Sequence, residues 1–223
     1  ASKFKEEPKT EEYRISDRNI HNTPHDYRLV ISPEEIKQLQ EELKKHDVIS
    51  FDTETTGIDP TQAELVGISF AFEKGKAFYV PIDADQTVAM KQLEHFAPFL
   101  QDEHKKFIGQ NIKFDILMMM QYGIRIPSVD FDTMIAHYLL EPDLRHKLDI
   151  LSETYLDYKM VPIEELIGKK STGQGSMRDV PLEKIKEYAA EDADVVFQIA
   201  PVLGQKIKEF DVESVLRKIE LPL

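Results

Sequence analysis

Four carboxylates in three short motifs carry the chemistry available to this sequence: Asp52 and Glu54 in FDTETTG, Asp115 in GQNIKFD and Asp192 in EYAAEDAD. Gathered by a fold, they offer hard oxygen ligands suited to two divalent cations rather than to zinc. Such a pair, roughly 3.5–4 Å apart, can run phosphodiester hydrolysis by activating a water and stabilising the departing 3′ oxygen. Several acids are needed because the phosphodiester repels its nucleophile and its leaving oxygen gathers further negative charge. The D-x-E spacing of Asp52 and Glu54 puts both side chains on one face of an extended strand. Tyr188 precedes Asp192 by four residues, so on a helix both project from one face, and the hydroxyl could orient the attacking water.

The elements that must position these residues are legible as a mixed α/β order. Residues 1 to about 25 are charged, poor in periodic apolar residues, and read as a linker or frayed lead-in. Tyr27–Ile31 reads as a strand. SPEEIKQLQEELKKH reads as a helix with Ser32 as N-cap, Pro33 at its first position, Glu35 as capping-box acid and Ile36, Leu39 and Leu43 as its buried stripe. VISFDTETTG, LVGISFAF and KAFYVPI read as three strands of an antiparallel meander, the first carrying the D-x-E to its exposed end. A helix is expected over 87–101, then a short strand at Phe107–Gly109 leading to the helix of FDILMMMQYG, with Asp115 near its start. Met118, Met119 and Met120 read as core packing. Asp132 in VDFDTM reads as an N-cap, Pro142 as the end of the helix that follows, and the chain through Tyr158 as helical.

The stretch GKKSTGQGSMRD, 168–179, reads either as a mobile surface loop or as a loop that folds over a nucleic-acid strand with Lys169, Lys170 and Arg178 on phosphates. It lacks the spacing of a P-loop. PLEKIKEYAAEDADVVFQIAPVLGQKIKEF reads as a long helix, interrupted or kinked around Pro201, with Asp194 as a solvated acid rather than a fifth ligand. The seven histidines read as surface or partly packed residues; His146, beside Arg145, is the one to watch.

With 223 residues and 41% hydrophobic content, the chain can bury one good-sized core. No apolar run reaches the roughly 18 residues of a membrane span, and the N-terminus has no signal-peptide pattern. The absence of cysteine removes disulfides and thiolate zinc sites and suits a cytoplasmic protein without requiring it. A net charge of −13 predicts weak nucleic-acid binding by this chain alone, because phosphate is usually held through Lys and Arg. Without cations the clustered acids would repel one another, so metal should stabilise the fold as well as switch on chemistry.

The order D-x-E, N-x-K-[FY]-D, Y-x-x-x-D resembles the DEDD exonuclease superfamily in its tyrosine branch. More narrowly, FDTETTGIDP, GQNIKFD and YAAEDADV look like the proofreading 3′-to-5′ exonuclease domain of the bacterial family A polymerases, the DNA polymerase I type, from about Tyr27 onward. A lone D-x-E would read as a turn residue and a surface acid, and Tyr188 as a ring at the core's edge. Three motifs in order reverse that reading.

The resemblance implies an α/β, ribonuclease H-like fold, a central mixed sheet flanked by helices. It implies Asp52, Glu54, Asp115 and Asp192 as metal ligands and Tyr188 as the residue that positions the water. The ions would be two divalent cations, Mg²⁺ or Mn²⁺, with Zn²⁺ possible at one site. Thr55 and Ile58 would touch the terminal nucleotide, Gln110 and Asn111 would hydrogen-bond the strand, Phe114 would pack beside the bases, and Arg145 would meet a phosphate. Ile163 stands where better-known members carry a Phe that stacks on a base, which weakens the expected grip there.

By the same resemblance 1–25 is a lead-in, 26–215 the exonuclease domain, and 216–223, within VLRKIELPL, the start of a junction to a polymerase domain. The implied protein is a monomeric, cytoplasmic, bacterial and nucleoid-associated enzyme with no membrane contact. It would hydrolyse the 3′ end of single-stranded or frayed DNA. The rival expectations are an RNA-trimming exonuclease of the ribonuclease D type and a catalytically silent scaffold for a polymerase.

Overall fold

The computed structural model describes residues 16–169 and 173–222. The chain enters through β1 (Asp26–Leu29) and α1 (Pro33–Lys45), then runs the meander β2 (Val48–Thr55), β3 (Leu65–Glu73) and β4 (Lys76–Pro81). Next come α2 (Gln86–Leu93), α3 (Ala97–Leu100), β5 (Lys106–Gly109), α4 (Ile112–Gln121), β6 (Val129–Asp132) and α5 (Thr133–Leu140). The helices α6 (Leu148–Leu156) and α7 (Glu164–Ile167), a 3₁₀ turn at Met177–Asp179, the long α8 (Leu182–Glu209), the short α9 (Glu213–Val215) and a π-helical turn at Leu216–Glu220 complete it. The six strands form one mixed sheet in the order β1-β4-β3-β2-β5-β6. β2–β3 and β3–β4 are antiparallel, as the meander requires, while β1–β4, β2–β5 and β5–β6 are parallel.

The two faces of this sheet differ in side-chain size, and that difference positions the site. One face presents Phe51, Ile68, Phe70 and Phe78 to a core closed by Leu39 and Leu43 of α1, Leu93 of α2 and Met118 and Met119 of α4. Met120, the third methionine, is exposed. The opposite face is built mostly from small residues, with Tyr79 the large ring among them. Ser50 lies across from Ala71 and Ala71 from Ala77; Asp52 lies across from Ser69, and Glu54 from Gly67. Onto this shallow face α8 packs with Ala190 and Ala193 against Ala71 and Ala77. Small side chains on both partners let a helix axis approach a strand closely, and α8 is thereby held over β2, β3 and β4.

Local signals place most elements where the sequence puts them. Ser32 accepts from Glu35 N, and Glu35 Oε2 accepts from Ser32 N at 2.8 Å, a complete capping box with Pro33 at the first position. Asp132 caps α5 through Met134 N (2.9 Å) and Ile135 N (3.2 Å).

Three expectations change. The helix expected over 87–101 is two pieces, because Pro98 in the first turn of α3 lacks an N–H and its ring opposes the carbonyl four residues back, which restarts the helix after Phe96. The helix across Pro201 is one uninterrupted element of 28 residues. Its halves share one core, with Val196 and Ile199 before the proline and Leu203 and Ile207 after it buried in the same cluster, and that packing outweighs one missing hydrogen bond. The described part of the lead-in, from Ser16, is docked rather than frayed. Ile20 is buried, Lys159 N donates to Arg18 O, and Asn19 bridges to Lys159. Residues 1–15 of that lead-in lie outside the described residues. Among the described residues no helix is long and apolar enough to cross a membrane.

Candidate active site

The strand β2 places Asp52 and Glu54 on the small-residue face, two residues apart, and α8 crosses that face with Asp192. One carboxylate oxygen from each of the three lies within 4.8 Å of the others. Glu54 is 7% exposed, while Asp52 and Asp192 are half-buried and open the cluster to solvent. The Tyr188 hydroxyl, one helical turn before Asp192, hydrogen-bonds that acid. The donor set is all oxygen, matching hard divalent cations.

Asp115 stands beside this group rather than within it. At 3% exposure, its Oδ1 accepts from Thr53 N (2.9 Å) and from Thr53 Oγ1 (2.5 Å). The reason lies in the sheet: β5 pairs with β2 only as far as Ser50, so beyond that point the edge of β2 is open, and Asp115 of α4 takes its N–H. Asp115 still feels the charge of Asp52. Thr53, the middle residue of the D-x-E, was missed from sequence. Its signal is the same alternation that aligns Asp52 with Glu54, because the residue between them must point to the other face.

Burial and neighbouring charge raise the proton affinity of these carboxylates. Burial pushes Asp52 up to about 7. Burial raises Glu54 well above the ordinary range, reinforced by the charges of Asp52, Asp192 and Asp115. Burial, then the charges of Asp52 and Glu191, raise Asp192, opposed by the hydrogen bond from Tyr188. Burial and the neighbouring carboxylates raise Tyr188 as well, so its phenol keeps its proton at neutral pH and acts as a donor. Carboxylates that repel one another this strongly are stabilised by cations placed between them.

Around the cluster, Thr55 lies at a register irregularity after Glu54 and donates to Gly57 O at 2.7 Å. Ile58, on the following turn, is 91% exposed. Gln110 is engaged at both ends of its amide: Oε1 accepts from Thr133 Oγ1 (2.5 Å), and Nε2 donates to His146 O (2.6 Å), leaving one N–H for a further acceptor. Asn111 takes a left-handed backbone (φ 56°) at the start of α4, with its N–H on Asp132 Oδ1 and its side chain exposed. Phe114 is half-buried in the first turn of α4, and Arg145 is exposed in the loop between α5 and α6. Ile163 is partly exposed just before α7.

Two charged residues sit differently from their sequence reading. Asp194, expected on the solvated side, is 3% exposed; its Oδ2 accepts from the Tyr27 hydroxyl and its Oδ1 from Gly75 N, each at 2.8 Å. It lies on the sheet-facing side of α8 and fastens the helix to β1 and to the β3–β4 turn. Arg178, expected on a flap or a mobile loop, turns inward: Nη1 donates to Ile82 O (3.2 Å) and Nη2 to Leu65 O (2.7 Å). Lys170 lies outside the described residues, and Lys169 is exposed.

Sequence reasoning also missed Glu191, fully buried, which accepts from the Tyr158 hydroxyl (2.6 Å) and Val161 N (2.7 Å). It missed the buried His137 too, whose Nδ1 faces His146 Nδ1 at 2.7 Å. Burial, then the charge of His146, lowers its proton affinity.

A family model described as 3′-5′ exonuclease matches residues 27–208. DNA polymerase I of Borreliella burgdorferi is 34% identical over 224 residues, covering 99% of this chain and 24% of that protein. DNA polymerase I of Pseudomonas aeruginosa is 35% identical over 208 residues, covering 89% and 23%. The chain thus spans about a quarter of the length of these relatives. Among solved structures, Brucella melitensis NrnC superposes with a TM-score of 0.68 at 21% identity over 86% of each chain. Pol1 of M. smegmatis, solved with a DNA primer-template and dNTP, gives 0.67 at 19% identity over 87% of this chain and 30% of that one. At such identities these two establish the fold, α/β and ribonuclease H-like.

Proposed function

Because the chain belongs to the 3′-5′ exonuclease domain family of DNA polymerase I, we propose that it removes nucleotides one at a time from the 3′ end of single-stranded or frayed DNA. The reading rests on one observation above the others: carboxylates from β2 and α8 converge within 4.8 Å, with a protonated tyrosine on one of them. Asp52, Glu54 and Asp192, with Asp115 beside them, would hold two divalent cations, Mg²⁺ or Mn²⁺. When bound, such ions supply the positive charge that offsets the phosphodiester and its leaving oxygen.

The chain's own groups do the rest. The Tyr188 hydroxyl, kept protonated, donates to Asp192, which holds it in place, and its oxygen accepts a hydrogen bond from the attacking water and fixes that water's orientation. The new O–P bond forms from water, the bond to the 3′ oxygen breaks, and a proton ends on that oxygen. The products are a nucleoside 5′-monophosphate and a shortened strand. Thr55 and Ile58 would meet the terminal nucleotide, Gln110 and Asn111 would hydrogen-bond the strand, Phe114 would pack beside the bases, and Arg145 would meet a phosphate. A paired end must be unpaired to enter, and a mismatched end costs less to unpair, which favours removal of misincorporated nucleotides.

On this reading residues 26–215 are the nuclease unit, working for a polymerase domain of the same parent protein in a bacterial cytoplasm. That partner, rather than this acidic chain, would supply the main grip on DNA.

The test is cleavage of 3′-labelled and 5′-labelled single-stranded DNA, and of RNA of the same sequence, in Mg²⁺, in Mn²⁺ and in EDTA. Metal-dependent shortening of DNA from its 3′ end, with RNA spared, is expected. Preferential shortening of RNA would replace the DNA assignment with RNA trimming. Inactivity of folded protein in both metals would leave a scaffold role.

A further inference from the structure

We propose that Arg178 is a positioning residue for Tyr188, pinning the segment against which the tyrosine ring rests. The inference depends on the nuclease reading above.

The guanidinium reaches from the 3₁₀ turn Met177–Asp179 to the sheet and bridges two neighbouring strands. Leu65 O, at the entry of β3, accepts from Nη2, and Ile82 O, just past β4, accepts from Nη1. The Glu64 carboxylate lies 3.5 Å from Nη2. A planar fork with fixed donors holds two carbonyls at a set spacing and orientation, where a lysine offers only a flexible point of attachment. With both terminal nitrogens committed to main-chain carbonyls, the side chain is a clamp and not a phosphate ligand.

The clamp acts on its neighbour in sequence. Met177 is buried in an apolar cluster with Val66, Tyr79, Ile185 and Ala189, and the Tyr188 ring packs against that cluster. The turn is thus a wedge between the ends of β3 and β4 and the first turns of α8. Among the described residues the other hydrogen bonds of this segment are local: Ser176 caps the turn through Arg178 N, and Gly175 N donates to Ile167 O at 2.7 Å. Neither reaches the sheet. Without Arg178 the wedge keeps only its apolar contacts on Val66 and Tyr79, which fix no direction, and the ring gains room to rotate its hydroxyl off the line to Asp192. A water held by a misdirected hydroxyl is misaligned, and that penalty falls on turnover rather than on strand binding.

The experiment is steady-state cleavage of a short single-stranded DNA by this chain in Mg²⁺, below the melting temperature of every variant. The variants are Arg178→Met, Arg178→Lys, Met177→Ala, Tyr188→Phe and Arg178→Met/Tyr188→Phe. Arg178→Met is expected to lower kcat about 10- to 100-fold, the scale of misplacing a catalytic group, with KM changed by less than about twofold. Arg178→Lys, which keeps the charge and loses the fork, falls in the same direction, and Met177→Ala lowers kcat while retaining Arg178. In the Tyr188→Phe background, Arg178→Met adds less than about twofold, because the group it positions is already gone.

An unchanged kcat in Arg178→Met would overturn the proposal, as would a full multiplicative loss in the Phe background. A rise in KM alone would make Arg178 a strand contact instead. Should Arg178→Met not fold, Arg178→Lys and Met177→Ala decide the matter by the same split. A parent chain inactive in Mg²⁺ and Mn²⁺ would overturn the nuclease reading and this proposal with it; an active parent with indifferent variants would overturn this proposal alone.

Discussion

Asp52, Glu54 and Asp192 work against one another until something positive lies between them, so each is worth more to chemistry than to stability. Asp192→Ala removes a proposed metal ligand and the acceptor of Tyr188 together. Cleavage should fall by roughly 10³-fold or more, as when one member of an interdependent catalytic set is lost. The melting temperature in EDTA should hold or rise, because repulsion on Glu54 is relieved. Thermal melts paired with the cleavage assay check both halves, and a large loss of stability would contradict the repulsion argument. Asp194, two residues along, should behave in the opposite way. Asp194→Ala leaves the Tyr27 hydroxyl and Gly75 N–H without their acceptor, costing about 2–3 kcal/mol in urea unfolding. Asp194→Asn, which can still accept, should cost less.

At the scale of elements, the decisive fact is how closely α8 approaches β2 and β3. Glycine at position 67, opposite Glu54, makes room for the Tyr79 ring: a Cβ there would lie 2.3 Å from its atoms. Gly67→Ala must therefore displace Tyr79, a member of the cluster that backs Tyr188. The expected outcome is a loss of about 1–3 kcal/mol, typical of overpacking, seen as a lower urea midpoint. A fall in cleavage rate should accompany it. An unchanged midpoint would mean that this layer yields more easily than its geometry implies.

At the scale of the whole molecule, stability and metal content are linked through pH. The site carboxylates are raised by folding, Asp52 from an ordinary 3.8 to about 7. Groups raised in this way favour the fold below their unfolded pKa, and that contribution is lost as pH climbs through the folded value. Glu42 has the opposite sign: hydrogen bonds from Lys45 and Lys76 lower it from 4.5 to about 2, so its contribution is present above the unfolded value and lost as pH falls through that window. The metal-free chain should melt higher at pH 5 than at pH 8, and Mn²⁺ should shrink or abolish the difference. Melting curves in EDTA and in Mn²⁺ across that range test the sign directly. A flat EDTA profile would show that burial and mutual repulsion do not raise these acids as placed.

What the sequence by itself determined is everything set by local periodicity. The two-residue spacing put Asp52 and Glu54 on one face, the four-residue spacing put Tyr188 on Asp192, and the box around Ser32 and Glu35 started α1, because strand alternation and helical pitch act within a few residues. The proline at position 98 carried a local stop that the helix expectation over 87–101 overlooked. Only the tertiary structure decided which surface each acid faces. Asp194 meets Tyr27 across 167 residues, Asp115 meets Thr53 across 62, and Arg178 meets Leu65 across 113. No spacing rule reaches so far. These partners were set by which sheet face was shallow enough to admit α8, by where β5 stopped pairing with β2, and by which main-chain carbonyls were left at the strand ends.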